Sequence, residues 1–315
     1  MFDISGKLEN GFEKILLKND QDNCTIEIVP SCGAMLHAFI VKDGRGEINL
    51  IDSYSSKKEY EESAESAGFK GLKLSPFPCR INKGSYTING TAYQFQPNRS
   101  GVVLHGFLYN KSFTIIKEHA DKTGAQLVLQ YDYAGDIPGF PFPYTCTVTY
   151  TLEKGNTLTI STVVKNTGAF SMPIADGWHP YFTFGGKVND LLLEFRSEEM
   201  LEFINLIPTG KTIPFRDFVQ PAVINGREID NSFMLDFSQP QPMCILRDPV
   251  SNLQLEIYPQ KEYPYLQIYI PPHRRSIAIE NLSAPPDAFN NGIGLLTIEP
   301  GGHADFSTTY KVKRK

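Results

Sequence analysis

Hydrophobic and polar residues alternate with period two along much of the chain. Residues 144–152 read YTCTVTYTL. Tyr, Cys, Val and Leu share one side and Thr the other, which predicts a half-buried strand. Gly155-Asn156 supplies a turn, and residues 157–164 continue the alternation. The same pattern returns at 127–131, 253–257, 266–270, 276–280 and 304–312. Residues 24–29, 35–41 and 48–51 read as strands near the N-terminus. No long helical periodicity separates these runs. The expected class is therefore all-β, with antiparallel sheets packed face to face rather than βαβ units.

Turn chemistry sharpens this picture. Residues 85–88 and 91–95 flank Asn89-Gly90, a strong hairpin signal because both turn positions must accept positive φ. Residues 74–84 are broken by Pro76 and Pro78 and cannot form a central strand. Residues 53–66 are polar and acidic and read as a solvated loop or a short helix. With no linker-like stretch and no internal repeat, residues 1–315 are expected to form a single domain.

Composition narrows the function. Of the 315 residues 41% are hydrophobic, enough for a large core, and the net charge of -5 offers no basic excess for nucleic acid or anionic membrane. No apolar run approaches the roughly 18 residues of a membrane span. The N-terminus lacks the basic-then-apolar design of a secretory signal. Five cysteines, an odd number with no CxxC pair, indicate neither a disulfide framework nor a zinc site. Cys24 and Cys146 fall inside alternating strands, as small core residues do. The expectation is a cytoplasmic protein.

The candidate chemistry centres on Asp176-Gly-Trp178-His179-Pro-Tyr181-Phe182, which holds the chain's one Trp. Neighbouring rings and Pro180 restrict His179 to an extended or turn conformation at a strand end. His105 precedes Gly106 after the apolar run 102–104 and is placed likewise. Glu280 closes the run 276–280. A carboxylate among apolar walls can have its pKa raised and act as a base. Arg80 and Asp230 are charges at element boundaries. His37 reads as a satisfied buried histidine, His119 and His303 as surface turns, and His273 as a rim or surface group. The chain has no HxH or HExxH motif, so neither a metal nor another cofactor is expected.

Taken in order, Arg80-Ile81, the Asn-Gly hairpin, Leu104-His105-Gly106, Trp178-His179-Pro180-Tyr181-Phe182, Asp230-Asn231-Ser232-Phe233 and Ile279-Glu280 followed by residues 284–290 (APPDAFN) resemble the aldose 1-epimerase (galactose mutarotase) family. The resemblance spans about residues 24–312. It implies a galactose mutarotase-like β-supersandwich of mostly antiparallel strands with an open cleft. It also implies that Glu280 is the general base, that His179 is the general acid at the ring oxygen, and that His105 positions and polarises the sugar. Arg80 and Asp230 match the family's sugar-hydroxyl contacts. Trp178 and Tyr181, with Phe77 and Phe182, offer apolar faces for the sugar's C–H surface. Cys79 stands where the family usually has Asn, and Asn281 where Pro is common.

The implied activity is interconversion of the α- and β-anomers of a free hexose such as glucose or galactose. The alternatives are an epimerase of a phosphorylated hexose, using cations among Arg80, Lys83, Arg99, Arg274 and Arg275, and a non-catalytic carbohydrate-binding protein. The expected partner is a small-molecule sugar, with neither nucleic acid nor membrane.

Overall fold

The computed structural model describes every residue except 44, 45, 99 and 100; Arg99 thus lies outside the described residues. Among the described residues the strands build sheets of nine, eight and five strands, with two further two-stranded pairs, the hairpin of Ser85–Ile88 with Thr91–Gln94 and the long-range pair of Met172–Ile174 with Leu296–Ile298. The five-stranded sheet is a meander in chain order, Phe2–Glu9, Phe12–Asn19, Cys24–Val29, Met35–Asp43 and Gly46–Asn49. Its first two strands carry weaker alternation and were not evident in the sequence pattern.

The nine-stranded sheet shows the alternation most clearly. In the Tyr144–Glu153 strand Tyr144, Cys146, Val148, Tyr150 and Leu152 are buried and the Thr residues are half-exposed. On its outer face cross-strand hydroxyls pair, Thr159 with Thr309 (2.8 Å) and Ser161 with Ser307 (3.0 Å), a contact that favours this register. Asn89-Gly90 and Gly155-Asn156 adopt positive φ at both positions, as their turns require. One apolar core runs between the large sheets, including Leu17, Ile26, Leu127, Tyr150, Leu255, Leu266 and Ile279. The five cysteines are free and buried.

The eight-stranded sheet carries the site. Its order is Ile207–Pro214, Glu199–Ile204, Asp230–Met234, Tyr265–Tyr269, Ile277–Leu282, Gly177–Trp178 and Lys73–Leu74, with Tyr181–Phe182 also pairing to Ile277–Leu282. The Ile277–Leu282 strand is buried on both faces, so any polar side chain on it is desolvated.

The structure decides one open local reading and corrects three. Residues 53–66 contain a helix, Lys57–Ser63, whose N-cap Ser56 accepts from the Glu59 N–H. The Ser56-to-Glu59 spacing is a helix-start signal that outweighs the polar composition. Glu280 does not end its strand, which continues to Leu282. His105 is on no strand; its neighbour Leu104 makes only an isolated bridge to Arg80. In addition, His119 lies on the exposed edge strand Thr114–Ala120 rather than in a turn.

Candidate active site

Strand register sets the floor of the site. Gly177 pairs with Leu282 and Tyr181 with Ala278, and one antiparallel alignment fits both. His179 therefore falls opposite Glu280, although the chain between the two short strands is irregular. The backbone fixes it further: the His179 N–H donates to Leu72 O (3.2 Å), and the Gly71 N–H donates to His179 O (2.9 Å). The side chains meet with His179 Nε2 3.4 Å from Glu280 Oε1. Alternate residues of a strand share a face. Glu280 pairs with Gln267, Gln267 with Ser232, and Asp230 with Tyr269, so these groups lie on one face. Gln267 accepts from Ser232 Oγ and donates to Asp230 Oδ1 (2.9 Å), which orients the Asp230 carboxyl.

His105 arrives from a separate loop. The His105 N–H donates to Cys79 O (2.7 Å), and the Cys79 N–H donates to His105 Nδ1 (3.1 Å). A ring nitrogen that accepts a hydrogen bond carries no proton, so neutral His105 bears its hydrogen on Nε2 and is a donor there. Cys79 and His105 both sit at left-handed φ, 55° and 62°. Such strain costs on the order of 1–3 kcal/mol per residue, and here each backbone is held by the other. Gly106 is at φ +67°, and a Cβ on it would stand 2.2 Å from Ser75 O. Only glycine lets the chain approach there and turn His105 inward.

These elements enclose a cavity of about 280 Å³ lined by Glu280, His179, His105, Arg80, Asp230 and Tyr181, and also by Gln267, Tyr269, Phe69 and Glu65. The imidazoles of His105 and His179 meet edge to face at 5.0 Å. Tyr181 stacks on His179 at 5.0 Å with an interplanar angle of 6°. Phe69 lies edge-on to His105 at 4.7 Å. Each histidine ring therefore has an aromatic wall that fixes its plane.

Electrostatics follow from burial. Glu280 is 2% exposed. Desolvation raises its pKa well above the ordinary carboxylate value, and the negative charge of Asp230 adds to the rise. Desolvation lowers His179 to about 3. His105 is lowered by burial first and then by His179 and Arg80. Asp230 is exposed as a residue, yet desolvation on its cavity side raises its carboxyl, with Arg80 and Gln267 pulling it back. The environment thus favours a neutral Glu280–His179 pair sharing one proton. At 3.4 Å their contact is too long for a strong hydrogen bond, and neither Glu280 Oε2 nor His179 Nδ1 has a hydrogen-bond partner among the described residues. Both groups retain capacity to exchange protons with a third.

The structure thus brings Glu280, His179, His105, Arg80, Asp230 and Tyr181 into one cavity wall. Trp178 is not part of it, which corrects its assignment as a sugar contact. It alternates with His179 and so points the other way, into the core. There its Nε1–H faces Thr162 Oγ1 (3.4 Å), its ring meets Tyr150, and Lys73 Nζ lies 4.8 Å from the ring centroid. Lys73 is itself paired with Asp176, which also accepts from the Tyr263 hydroxyl (2.6 Å). Phe77 and Phe182 are likewise core residues, packed on Phe95 and Tyr310. Sequence reasoning missed Gln267 and Tyr269, whose signal was the polar and aromatic face of the alternating 266–270 run. Phe69 and Glu65 carried no local signal. Glu65 lies just past the helix, within the stretch read as solvated, and its Oε1 accepts from the Tyr109 hydroxyl (2.7 Å). Among the described residues no group of three or more His, Cys, Asp and Glu is placed to hold a metal ion.

The hairpin of Glu199–Ile204 and Ile207–Pro214 adds Phe203 and Leu206 to the wall. Its turn residues Asn205 and Leu206 both have positive φ, 52° and 63°. Asn tolerates this, but a leucine there costs roughly 1–2 kcal/mol. Leu206→Gly is expected to stabilise the fold by up to about 1 kcal/mol in a denaturant melt, while removing part of the wall. A destabilised variant would show that the packing of the side chain outweighs the strain.

A family model described as aldose 1-epimerase matches residues 13–311. The Escherichia coli protein YihR is 26% identical over 296 residues, covering 89% of this chain and 91% of its own. Mouse galactose mutarotase is 26% identical over 288 residues, covering 84% and 80%. Among solved structures, a galactose mutarotase-like protein from Clostridium acetobutylicum superposes with a TM-score of 0.88 at 16% identity, covering 100% of this chain and 99% of that one. That likeness is one of fold.

Proposed function

The chain belongs to the aldose 1-epimerase family, and on that premise we propose that it interconverts the α- and β-anomers of a free reducing hexose by acid–base ring opening and closure. The observation that supports this most is the His179–Glu280 contact of 3.4 Å on the floor of a cavity that also holds His105, Arg80 and Asp230.

The reaction starts from the ion-pair form, carboxylate and imidazolium, one proton transfer away from the neutral pair. Glu280 takes the proton of the anomeric hydroxyl. The C1–O5 bond breaks as the C1 carbonyl forms, and His179 gives its proton to O5. The products of the step are a protonated Glu280, a neutral His179 and an open-chain aldehyde. This is the charge state that burial favours, so the cavity helps both groups discharge onto the sugar. Rotation about C1–C2 and the reverse transfers close the ring on the other face. His105 donates from Nε2 to a sugar oxygen. Arg80 and Asp230 hold hydroxyls, and Tyr181 and Tyr269 wall the ring.

The phosphorylated-sugar alternative has narrower support: Arg80 lines this cavity and meets Lys83 at a neighbouring hollow, but Arg275 lines another surface groove and Arg274 bonds Asn189 and the Arg227 carbonyl (3.1 Å). The buried free thiols support a reducing compartment such as the cytoplasm. Among the described residues no helix is long and apolar enough to cross a membrane.

Polarimetry on freshly dissolved α-glucose and α-galactose, beside hexose 6-phosphates, tests the reading. Equilibration of a free hexose should accelerate with enzyme concentration; no acceleration with any reducing sugar would overturn it. Asp230→Asn probes the electrostatics. It removes the like charge that adds to Glu280's raised pKa. The alkaline limb of kcat/KM, set by loss of the pair's proton from Glu280, should therefore move to lower pH, even as the lost sugar contact lowers the maximum. A limb that stays in place or rises would exclude that coupling.

A further inference from the structure

The segment that walls His105 is held from outside the cavity. Phe69 lies edge-on to the His105 ring at 4.7 Å, and Gly68 packs so close under the Tyr181 hydroxyl that a Cβ on it would stand 2.3 Å away. Both belong to the loop between the helix Lys57–Ser63 and the strand Lys73–Leu74. Phe69 itself sits at φ 55°, an outlier for a bulky aromatic. Such a backbone is costly and persists only where its surroundings over-determine it.

The next residue, Lys70, supplies that constraint. Its backbone N–H donates to the Tyr54 hydroxyl (3.0 Å), and its Nζ pairs with Asp52 Oδ1 (2.9 Å). Tyr54 is buried, and its hydroxyl donates in turn to Ala64 O (3.2 Å). One oxygen thus ties the loop at 64 and at 70. Asp52 is a junction of its own. Its N–H donates to Tyr181 O (2.9 Å), and its Oδ2 accepts from Ser276 Oγ (2.6 Å). Ser276 directly precedes the strand that carries Glu280. Asp52, Tyr54 and Lys70 line a separate surface groove and not the cavity over Glu280. The side chains of the Lys70–Asp52 pair are 15% and 24% exposed, so it adds modestly to global stability. What it fixes is the direction in which Phe69 projects.

We propose that Asp52 and Tyr54 are positioning residues for turnover. Through Lys70 they hold Phe69 in its strained conformation, and Phe69 holds the His105 ring in the plane from which Nε2 donates to the sugar. The inference rests on the anomer-interconversion reading and adds to it residues that touch no reacting atom.

The test measures kcat and KM for hexose by polarimetry, per folded molecule, beside thermal melts. The variants are Lys70→Met, Asp52→Asn, Lys70→Arg and Tyr54→Phe, with Phe69→Ala alone and combined with Lys70→Met. Met keeps the length of the Lys70 stem and Asn the shape of Asp52, so both should fold. In each, kcat should fall by about threefold to fivefold with KM within about twofold of wild type. Lys70→Arg can rebuild the ion pair and should return kcat to near the wild-type value. Tyr54→Phe strips the Lys70 N–H of its partner and should cost about tenfold. Phe69→Ala should lower kcat as well, and adding Lys70→Met to it should cost nothing more, because the tether then has nothing to aim. A role in stability alone would lower the melting temperatures while kcat stayed at wild type, and that result overturns the proposal. So does a Lys70→Met loss that multiplies undiminished onto that of Phe69→Ala. Hexose turnover that the variants match leaves the anomerase reading standing without the tether, whereas acceleration of no sugar removes both.

Discussion

Glu280→Gln is expected to lower kcat/KM for hexose anomerisation by about 10³-fold and, at the same time, to make the protein more stable at alkaline pH. Both effects have one cause. The carboxyl is buried mid-strand and its pKa is raised by desolvation. As pH climbs past the ordinary carboxylate value, the unfolded chain releases this proton first while the native state still holds it. The native state then binds more protons, so stability falls with rising pH. The penalty is absent below the unfolded pKa and complete above the native one. Gln never ionises, so thermal melts should show the variant above wild type near about pH 8 and level with it near about pH 4. Isothermal titration with galactose should still register binding. Retained turnover would remove Glu280 as the base; a variant less stable at pH 8 would show that the carboxylate makes native contacts worth more than its desolvation.

His179→Asn is expected to cost about 10²–10⁴-fold in kcat with a smaller change in KM, because proton delivery to the ring oxygen is a transition-state event. The sign for stability is opposite to that of Glu280. Burial lowers His179 to about 3, so the native state resists the proton that the unfolded chain accepts below about pH 6.5. Stability from this group is present above that pH and is lost as pH falls toward 3. Removing the imidazole should therefore flatten the acid side of the stability curve. In activity, the wild-type profile belongs to the coupled pair. The pair works with one proton, so its alkaline limb, where Glu280 gives that proton up, should sit well above the usual carboxylate range, and in His179→Asn that alkaline limb should vanish. A variant within about tenfold of wild type would assign the proton donor elsewhere, with His105 the next group to replace.

Much of the scaffold was legible because a strand half-buried in a sandwich prints its burial as period-two alternation. Residues 144–152 and 157–164 behave this way, and so do the turns at 89–90 and 155–156, where positive φ restricts residue type. The first two strands were not legible, because Phe2–Glu9 is an edge strand with several exposed positions and lacks a clean alternation. The helix at Lys57–Ser63 was obscured because its capping signal is short and its composition polar. Trp178 shows the opposite error. Adjacency to His179 in sequence suggested adjacency in space, yet consecutive strand residues face opposite ways.

By itself the sequence determined an all-strand architecture, its turns and the residue types able to move protons, because periodicity and turn chemistry are local. Only the tertiary structure decided which side chains share a cavity. Opposing His179 to Glu280 needs one register across two short strands, and drawing in His105 needs a glycine approach to Ser75. The shifts that matter come from burial between sheets, a property no local stretch of chain contains.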